Sequence, residues 1–402
     1  MKARYQYRNL AVAITTLVLS LSFAIPANAA APPPVSARAW IVVDGQTGQV
    51  LGGHDILGEF YPASITKIMT AYLAITHGWH DTVVVSPEAA AQPGSSAYLV
   101  AGEHLPMPGV VTAMMLVSGN DAAYAVAQTV AGSVPKFVAM MNAQAKAWGA
   151  PGIHFANPDG LPNPHHVVTA LGMAIIAEHA MRNPIFRHIV ATKVSSLPPD
   201  PTPRIYYNQN QLLYNYPGAV GIKIGYTIEA DETIVGAARR HGQLVIVVLL
   251  HDTPAGLWPD VEHLLTWGLT DFRPLSAVHK GQLLGALSIG HRRVTVKALR
   301  TVTYLVPQHS RPRISWQLTA LRPLDPRPLV PGTIVGLAAI RIGTKVVGRI
   351  PVVNARRIPS LPPTIHWIWW WLGFPALVAV SLAIPRGRRR PSAVLGGGDH
   401  TD

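Results

Sequence analysis

Three short groups of residues in this chain have the types and the spacing that nucleophilic catalysis requires. In the first group, Ser64 and Lys67 are three residues apart. Residues at that spacing share one face of a helix, so the Lys67 amine can reach the Ser64 hydroxyl and act as a base beside a nucleophile. The pair also has an ordinary explanation, in which Ser64 caps the first turn of a helix and Lys67 extends into solvent.

The other two groups lie further along the chain. Ser118 and Asn120 stand between an apolar segment and a segment of small residues, where a hydroxyl and an amide can point into a cleft. Lys223 and Gly225 lie at the end of a predicted strand, where a glycine lets a ligand approach the sheet edge. Alternatively, Ser118 is a helix N-cap, Asn120 forms a turn and Lys223 is a solvated strand end.

The elements that would position these groups follow from the hydrophobic pattern. Pro62 and the apolar residues after it predict a helix over 61–73. A sheet with helices on both faces and a helical insertion is the interpretation that fits the whole order of elements. The predicted strands are 39–44, a return strand from Val50, 82–85, 220–224, 233–240 and 244–251, and the predicted helices are 110–116, 122–131, 134–148, 169–181 and 261–269.

The pattern changes from about Pro274 onward. Short alternating segments at nearly regular spacing predict a small all-β domain, and no cluster of titratable residues within it suggests chemistry. The predicted strands of this domain are 287–289, 293–297, 302–306, 314–318, 333–337 and 345–350.

Both ends of the chain have the composition of membrane-targeting segments. Residues 1–29 combine a basic start, an apolar centre and an Ala-x-Ala ending, which is typical of a secretory signal peptide, although an uncleaved anchor helix is the alternative. Residues 364–384 contain no Asp, Glu, Lys or Arg, follow a linker at 358–363 and begin with a cluster of tryptophans. Four arginines lie in the following tail, 385–402, so we predict one C-terminal span with a cytoplasmic tail, against the alternative of a buried core helix.

Composition excludes several classes of function. The 402-residue chain has no cysteine, so disulfides and thiolate chemistry are excluded. Its formal net charge of +13 suits an anionic cell envelope, and no basic aromatic motif suggests nucleic-acid binding. The histidines at 165, 166, 251 and 263 lack the spacing of metal ligands, so we predict neither a metal nor a cofactor.

The three groups, taken in order, resemble the Ser-x-x-Lys, Ser-x-Asn and Lys-Thr-Gly signature of penicillin-binding proteins and serine β-lactamases. The chain from Ala39 to about Arg357 is similar to low-molecular-mass penicillin-binding proteins that are serine D-alanyl-D-alanine carboxypeptidases. Further similarity lies in residues 118–123, 141–142, 155–162 and 218–223. The resemblance implies an α/β (α+β) penicillin-binding-protein/β-lactamase-like transpeptidase fold, with a catalytic domain at 30–272, a small all-β second domain at 273–357 and one C-terminal transmembrane helix.

The resemblance also implies roles for individual residues. Ser64 is the nucleophile that forms an acyl-enzyme, Lys67 is its base, Ser118 relays a proton and Asn120 contacts the peptide substrate. We expect the ammonium of Lys223 to disfavour the charged form of Lys67. The backbone N–H groups of Ser64 and Tyr226 would form an oxyanion hole. The expected substrate-binding residues are Lys223, Gly225, Tyr226 and Thr227, the expected substrate is the D-Ala-D-Ala end of a peptidoglycan stem peptide, and β-lactams are the expected inhibitors.

The sequence departs from the family pattern around the leaving group. Ile224 stands where the family has threonine, and the segment 251–258 has no arginine, so two contacts to the substrate carboxylate are expected to be weaker. One alternative is therefore a weakly active or inactive penicillin-binding relative that holds cell-wall peptides. A β-lactamase ranks last, because the loop 157–166 contains no glutamate for fast deacylation.

Overall fold

The computed structural model describes residues 31–197, 204–289, 292–321 and 329–357. The predicted signal peptide, linker, membrane span and cytoplasmic tail lie outside these residues. None of the helices within the described ranges combines the length and the apolar character that a membrane crossing needs.

Helices and strands are mixed up to residue 270, and in the described residues beyond it only strands follow. A short 3-10 helix, Ala63–Thr66, leads directly into the first α-helix. The α-helices of the described residues are α1 (Lys67–His77), α2 (Pro87–Ala90), α3 (Met107–Val117), α4 (Asn120–Ala131), α5 (Val134–Ala147), α6 (Ala170–Ala180), α7 (Pro184–Ala191), α8 (Leu212–Asn215) and α9 (Leu257–Thr270).

The strands of the described residues are β1 (Ala39–Asp44), β2 (Val50–His54), β3 (Thr82–Val84), β4 (His104–Pro106), β5 (Val194–Leu197), β6 (Arg204–Tyr207), β7 (Ala219–Thr227), β8 (Asp231–Arg240), β9 (Gln243–Asp252), β10 (Phe272–Val278), β11 (Leu283–Ile289), β12 (Arg292–Ala298), β13 (Val302–Pro307), β14 (Ile314–Ala320), β15 (Ile334–Ile342) and β16 (Lys345–Asn354).

The central sheet is antiparallel and has the strand order β2-β1-β9-β8-β7. The predicted N-terminal hairpin and the predicted return of three later strands to the same sheet are both confirmed. Strand β7 lies at one edge, so its outer side has no strand neighbour among the described residues. This edge carries Lys223 and Gly225.

Helices cover both faces of the central sheet, as predicted. Along β1 the side chains alternate, with Ile41 and Val43 in one apolar cluster and Trp40 and Val42 in another. The first cluster includes residues of α1, α3, α4 and α6, and the second includes residues of α9. Burial on both sides explains why β9 is almost continuously apolar, since neither of its faces meets water.

The remaining strands form smaller sheets. Two-stranded sheets pair β3 with β4, β5 with β6 and β10 with β13, and a second five-stranded sheet has the order β11-β12-β16-β15-β14. The six strands predicted beyond Pro274 are all present, whereas β10, the β5–β6 hairpin and α7 were not predicted. Two compact units result, the first made of the described residues up to His279 with 301–315 and 340–348, and the second of 280–300, 316–339 and 349–357.

A buried glutamine joins two distant parts of the first unit. Gln49 donates from Nε2 to the Leu305 carbonyl oxygen at 2.8 Å, and its Oε1 accepts from the Leu305 backbone N–H at 2.8 Å. Both residues are buried, so no solvent can replace these two bonds. One amide side chain therefore satisfies both backbone groups of a residue on β13.

We expect Gln49→Leu to lower the free energy of unfolding by about 2–3 kcal/mol, because it leaves the buried N–H and the buried carbonyl oxygen of Leu305 without hydrogen-bond partners. Chemical denaturation monitored by circular dichroism measures this change. Gln46→Leu is the matched control, since the Gln46 amide donates to the Gly242 carbonyl at the surface. Equal destabilisation in the two variants would contradict this assignment.

Candidate active site

The nucleophile of the predicted pair lies on the turn that starts α1. Ser64 is half-buried within the 3-10 helix Ala63–Thr66, and Lys67 is the first residue of α1. The predicted helix over 61–73 therefore begins as a tighter turn and becomes α-helical only at Lys67. Eight of the eleven residues of α1 are buried, including Lys67 itself, whose exposed fraction is 0%. A solvent-exposed Lys67 is thus excluded.

The Lys67 amine has three oxygen partners. Its Nζ lies 2.9 Å from Ser64 Oγ, 2.7 Å from Asn120 Oδ1 and 2.5 Å from the backbone oxygen of Asp159. As an ammonium group it donates to all three. As a neutral amine it keeps two N–H donors for Asn120 and Asp159 and has a lone pair that can accept the Ser64 proton along the same 2.9 Å contact.

Burial lowers the pKa of Lys67 to about 8, while the carboxylates of Asp159 and Asp121 act in the opposite direction. A depressed pKa was expected, but the expected cause was wrong. Burial, followed by the charge of Lys67, lowers the pKa of Lys223 well below its usual value. The groups that shift the Lys67 pKa are its own burial and the two carboxylates, and Lys223 is not among them.

The second group lies where α3 ends and α4 begins. Ser118 follows α3 with a left-handed φ of 64°, and Asn120 is the first residue of α4. The alternatives of a Ser118 N-cap and an Asn120 turn are both wrong, because Gly119 is the N-cap of α4 and Asn120 lies within the helix. Asn120 holds Lys67 through Oδ1 and donates from Nδ2 to the Pro93 carbonyl at 2.7 Å. The Ser118 hydroxyl makes no hydrogen bond with any residue that the structure describes.

Asp121 fixes the loop beside Asn120. Its carboxylate accepts from the backbone N–H groups of Ala97 at 2.8 Å and Leu99 at 3.0 Å, and from the Ser96 hydroxyl at 2.7 Å. These bonds satisfy a buried charge with fixed donors. The loop and the start of α4 thus form one rigid wall.

The third group lies on β7, next to Ser64. Lys223 is 2% exposed and donates from Nζ to the Ile224 carbonyl at 2.9 Å, so it is not a solvated strand end. Gly225 faces Ser64 directly, since a Cβ atom there would come within 2.6 Å of the Ser64 backbone nitrogen. The strand can therefore approach the nucleophile this closely only with glycine at position 225.

A second glycine borders the same nitrogen. A Cβ atom at Gly160 would lie 3.0 Å from the Ser64 nitrogen and 1.8 Å from the Ala63 carbonyl oxygen, and Gly160 has a φ of 93°. Together, Gly160 and Gly225 keep the space around the Ser64 N–H open. An open, fixed N–H is what an oxyanion site requires.

Three other positions on β7 are less tightly connected to this cluster. Ile224 packs against the apolar cluster that α9 covers and pairs with Ile234 across the sheet. The ring of Tyr226 is 58% exposed, and the Thr227 hydroxyl accepts from the Ala230 N–H at 3.1 Å in the turn to β8. No described contact joins Tyr226 or Thr227 to Ser64, Lys67 or Asn120.

The histidines that were considered as metal ligands do not form a cluster. His251 contacts Asp231 at 3.1 Å, whereas His166 is buried beneath the 3-10 turn. Within the described ranges, no three His, Asp or Glu side chains are arranged to hold a metal ion.

Sequence reasoning assigned no role to four residues that hold the site. Asp159 supplies a partner to Lys67, and Gly160 borders Ser64, although both lie in a segment, 155–162, that carried the family resemblance. Thr66 and Thr233 bind the backbone before Ser64: Thr66 donates to the Ala63 oxygen at 2.8 Å and Thr233 to the Pro62 oxygen at 2.9 Å. Only the Thr66 contact is local in sequence and could have been anticipated.

Solved penicillin-binding proteins share this architecture. The structure of penicillin binding protein 5 from Haemophilus influenzae aligns with a TM-score of 0.70, covering 82% of this chain and 100% of that chain at 23% sequence identity, which concerns the fold alone. A D-alanyl-D-alanine carboxypeptidase, DacD, from Francisella tularensis aligns with a TM-score of 0.64 over 86% of this chain and 98% of its own, at 25% identity. Fold and site together define an active-site-serine peptidase with the α+β penicillin-binding fold.

The family follows from the sequence comparison. Residues 26–253 match the peptidase S11 family model, described as D-alanyl-D-alanine carboxypeptidase. The chain belongs to this family, which confirms the resemblance found from the motifs. The D-alanyl-D-alanine carboxypeptidase DacB2 of Mycobacterium tuberculosis is 34% identical over 250 residues, covering 60% of this chain and 86% of the relative.

We expect Gly160→Ala to reduce acylation by a fluorescent penicillin at least about a hundredfold, since a displacement of about 1 Å at a reacting group has an effect of that size. The added methyl group must displace the Ala63 carbonyl, which lies beside the nucleophile. Initial labelling rates on folded protein measure the effect.

Gly102→Ala separates this clash from backbone strain. Gly102 has a similar φ of 87° but has nothing within 4 Å of an added Cβ. We expect the left-handed backbone strain of Gly102→Ala to lower its free energy of unfolding by roughly 1–2 kcal/mol. We expect its labelling rate to stay at that of the natural chain. A Gly160→Ala variant that labels like Gly102→Ala would refute the steric argument.

Proposed function

We propose that this protein is a membrane-anchored serine carboxypeptidase that removes the terminal D-alanine from peptidoglycan stem peptides through an acyl-enzyme on Ser64, and that it binds penicillin at the same residue. The observation that carries the proposal is the fully buried Lys67 amine, 2.9 Å from Ser64 Oγ and 2.7 Å from Asn120 Oδ1. Family membership supports the substrate class.

Acylation starts from neutral Lys67. The amine accepts the Ser64 proton as Ser64 Oγ attacks the carbonyl carbon of the penultimate D-alanine. The backbone N–H groups of Ser64 and Tyr226 stabilise the oxyanion. The carbon–nitrogen bond then breaks, and the proton held by Lys67 passes through Ser118 to the departing D-alanine nitrogen, which returns Lys67 to its neutral form. Water hydrolyses the resulting ester and regenerates Ser64.

The edge of β7 binds the substrate backbone. An extended peptide can add to an edge strand through main-chain hydrogen bonds, and Gly225 to Thr227 offer that edge beside Ser64. Lys223 receives the terminal carboxylate, whose negative charge favours the ammonium form that burial disfavours by lowering the Lys223 pKa. Asn120 uses the second N–H of its amide to contact the substrate.

The cellular setting follows from the two ends of the sequence. The predicted signal peptide at 1–29 and the predicted span at 364–384 support a catalytic domain on the extracytoplasmic face of the bacterial cell membrane, with the tail at 385–402 in the cytoplasm. That is the compartment in which peptidoglycan is exposed.

One observation favours a second candidate function. Ile224 has no hydroxyl for the substrate carboxylate, and its side chain packs toward the α9 side of the sheet. A protein that has all the groups for acylation but binds the terminal carboxylate of the substrate weakly would bind cell-wall peptides and penicillin with little turnover. This penicillin-binding relative is distinguished from the carboxypeptidase by its product.

We expect the part of the chain between the predicted signal peptide and the predicted linker, residues 30–357, to be labelled by fluorescent penicillin at Ser64. We expect the same protein to release D-alanine from a diacyl-D-Ala-D-Ala peptide. Ser64→Ala, which retains the fold but lacks the nucleophile, should abolish both signals. D-alanine is quantified by an amino-acid oxidase assay. Labelling without release supports the second candidate, and release by Ser64→Ala would refute Ser64 as the nucleophile.

We expect the acylation rate to rise with pH, by about tenfold per unit below the Lys67 pKa of about 8, and to level off above it. The neutral amine is the active form, so protonation at low pH removes the base. Penicillin labelling rates between pH 6 and 10 measure the profile.

Asp159→Asn should move this midpoint to lower pH, because the Asp159 carboxylate raises the Lys67 pKa. Asp81→Asn removes the same charge beyond the far end of α1, about 15 Å along the helix at 1.5 Å per residue, and should leave the midpoint unchanged. An unshifted profile in Asp159→Asn would contradict the assignment of Lys67 as the base.

A further inference from the structure

The backbone immediately before the nucleophile is strained. Ala63 has a φ of 48°, in the left-handed region that costs a non-glycine residue free energy. Its conformation determines the direction in which the next residue, Ser64, presents its hydroxyl. The surrounding structure must therefore hold Ala63 in place.

Thr66 supplies one of the bonds that hold it. The Thr66 hydroxyl is fully buried and donates to the Ala63 carbonyl at 2.8 Å, closing the turn that contains Ser64. A threonine hydroxyl in a helix has other backbone acceptors within reach when its side chain rotates. The bond to Ala63 therefore depends on a fixed rotamer of Thr66.

His166 lies behind that hydroxyl. Its Nε2 is 3.1 Å from Thr66 Oγ1. Because the single hydroxyl proton of Thr66 is committed to the Ala63 carbonyl, Thr66 Oγ1 can only accept from His166. This assigns the proton of the imidazole to Nε2 and leaves Nδ1 without one.

The other ring nitrogen has no partner. His166 is 1% exposed, and its Nδ1 is buried without a hydrogen bond to any residue in the described part of the chain. The ring packs edge-on against Phe155, with centroids 5.7 Å apart. An apolar side chain of the same size would fill this space without a buried, unpaired acceptor, so packing alone does not account for a histidine here.

We propose that His166 is a positioning residue for acylation: its Nε2–H fixes the Thr66 hydroxyl on the Ala63 carbonyl and so holds the turn that aims Ser64 at Lys67. The inference rests on the proposed role of Ser64 as the acylated nucleophile. Substrate binding involves β7 and Asn120, with which His166 makes no described hydrogen bond. Loss of the Nε2–H is therefore expected to slow acylation and to leave substrate affinity unchanged.

His166 does not itself serve as an acid or base in this scheme. Burial, then the charges of His154 and Lys67, lower its pKa to about 3, so the ring stays neutral throughout the working range of a base with a pKa of about 8. The described hydrogen bonds of its ring go to Thr66 and not to Ser64.

A matched pair of substitutions tests the proposal. His166→Gln places an amide N–H at nearly the position of Nε2, whereas His166→Met has a similar length and no donor. We expect His166→Met to acylate about tenfold more slowly with fluorescent penicillin, as the loss of one positioning hydrogen bond predicts. We expect His166→Gln to stay within about threefold of the natural chain. The KM for a diacyl-D-Ala-D-Ala peptide should change by less than about twofold in both variants.

Thr66→Val removes the same bond from the other side. It should slow acylation about as much as His166→Met, and the double variant should be no slower than Thr66→Val alone, because His166 acts only through Thr66. This variant also supplies the test if His166→Met does not fold. Thermal unfolding of every variant is recorded, and labelling is assayed well below each midpoint.

Two outcomes would overturn the proposal: labelling of His166→Met at the natural rate, or equal slowing of His166→Met and His166→Gln. The second result would make His166 a packing residue only. The deciding readout is penicillin labelling, which needs Ser64 but not carboxypeptidase turnover; only the KM comparison requires turnover. A natural chain that labels but releases no D-alanine therefore refutes the proposed function and leaves this test intact.

Discussion

The site depends on keeping the Lys67 amine out of water. A primary amine is strongly hydrated, so its burial disfavours the ammonium form and lowers its pKa to about 8. Burial is tolerable only because Ser64, Asn120 and Asp159 each place an oxygen within 3 Å of Nζ. These oxygens come from the turn before α1, the start of α4 and the loop after α5. The packing that brings the three segments together therefore stabilises the site and also favours the neutral amine that can act as a base.

Close approach of backbone to backbone is the second constraint, and glycine makes it feasible. Gly225 on β7 and Gly160 on the loop both border the Ser64 nitrogen, at distances that a Cβ atom would not allow. Thr233 on β8 holds the Pro62 carbonyl from the sheet side. The nucleophile is thus held between the sheet edge and a loop, while its amide stays open for an oxyanion. Both constraints fix the same turn from different directions.

Much of the fold follows from local sequence pattern. The alternation along β1, the continuous apolar run of β9 and the helical spacing in α1 each report the faces that will be buried, so these elements were predicted within a few residues. The β5–β6 hairpin and α7 were missed because their signals are short. Asn183 caps α7 and Pro184 starts it, which is a local signal that could have revealed this helix. Strand β10 was missed because Pro274 was taken as the point where the pattern changes, so the residues around it were assigned to no element.

The sequence by itself determined the chemical groups: a serine and a lysine three residues apart, a serine and an asparagine two apart, and a lysine with a glycine two further on. Those spacings are local, so they survive without knowledge of the fold, and the family membership confirms the resemblance built on them. Only the tertiary structure decided that burial, and not Lys223, lowers the Lys67 pKa, that Asp159 completes the amine site, and that His166 stands behind Thr66. Desolvation and contacts between residues a hundred positions apart are properties of the packed chain, and no spacing within a motif encodes them.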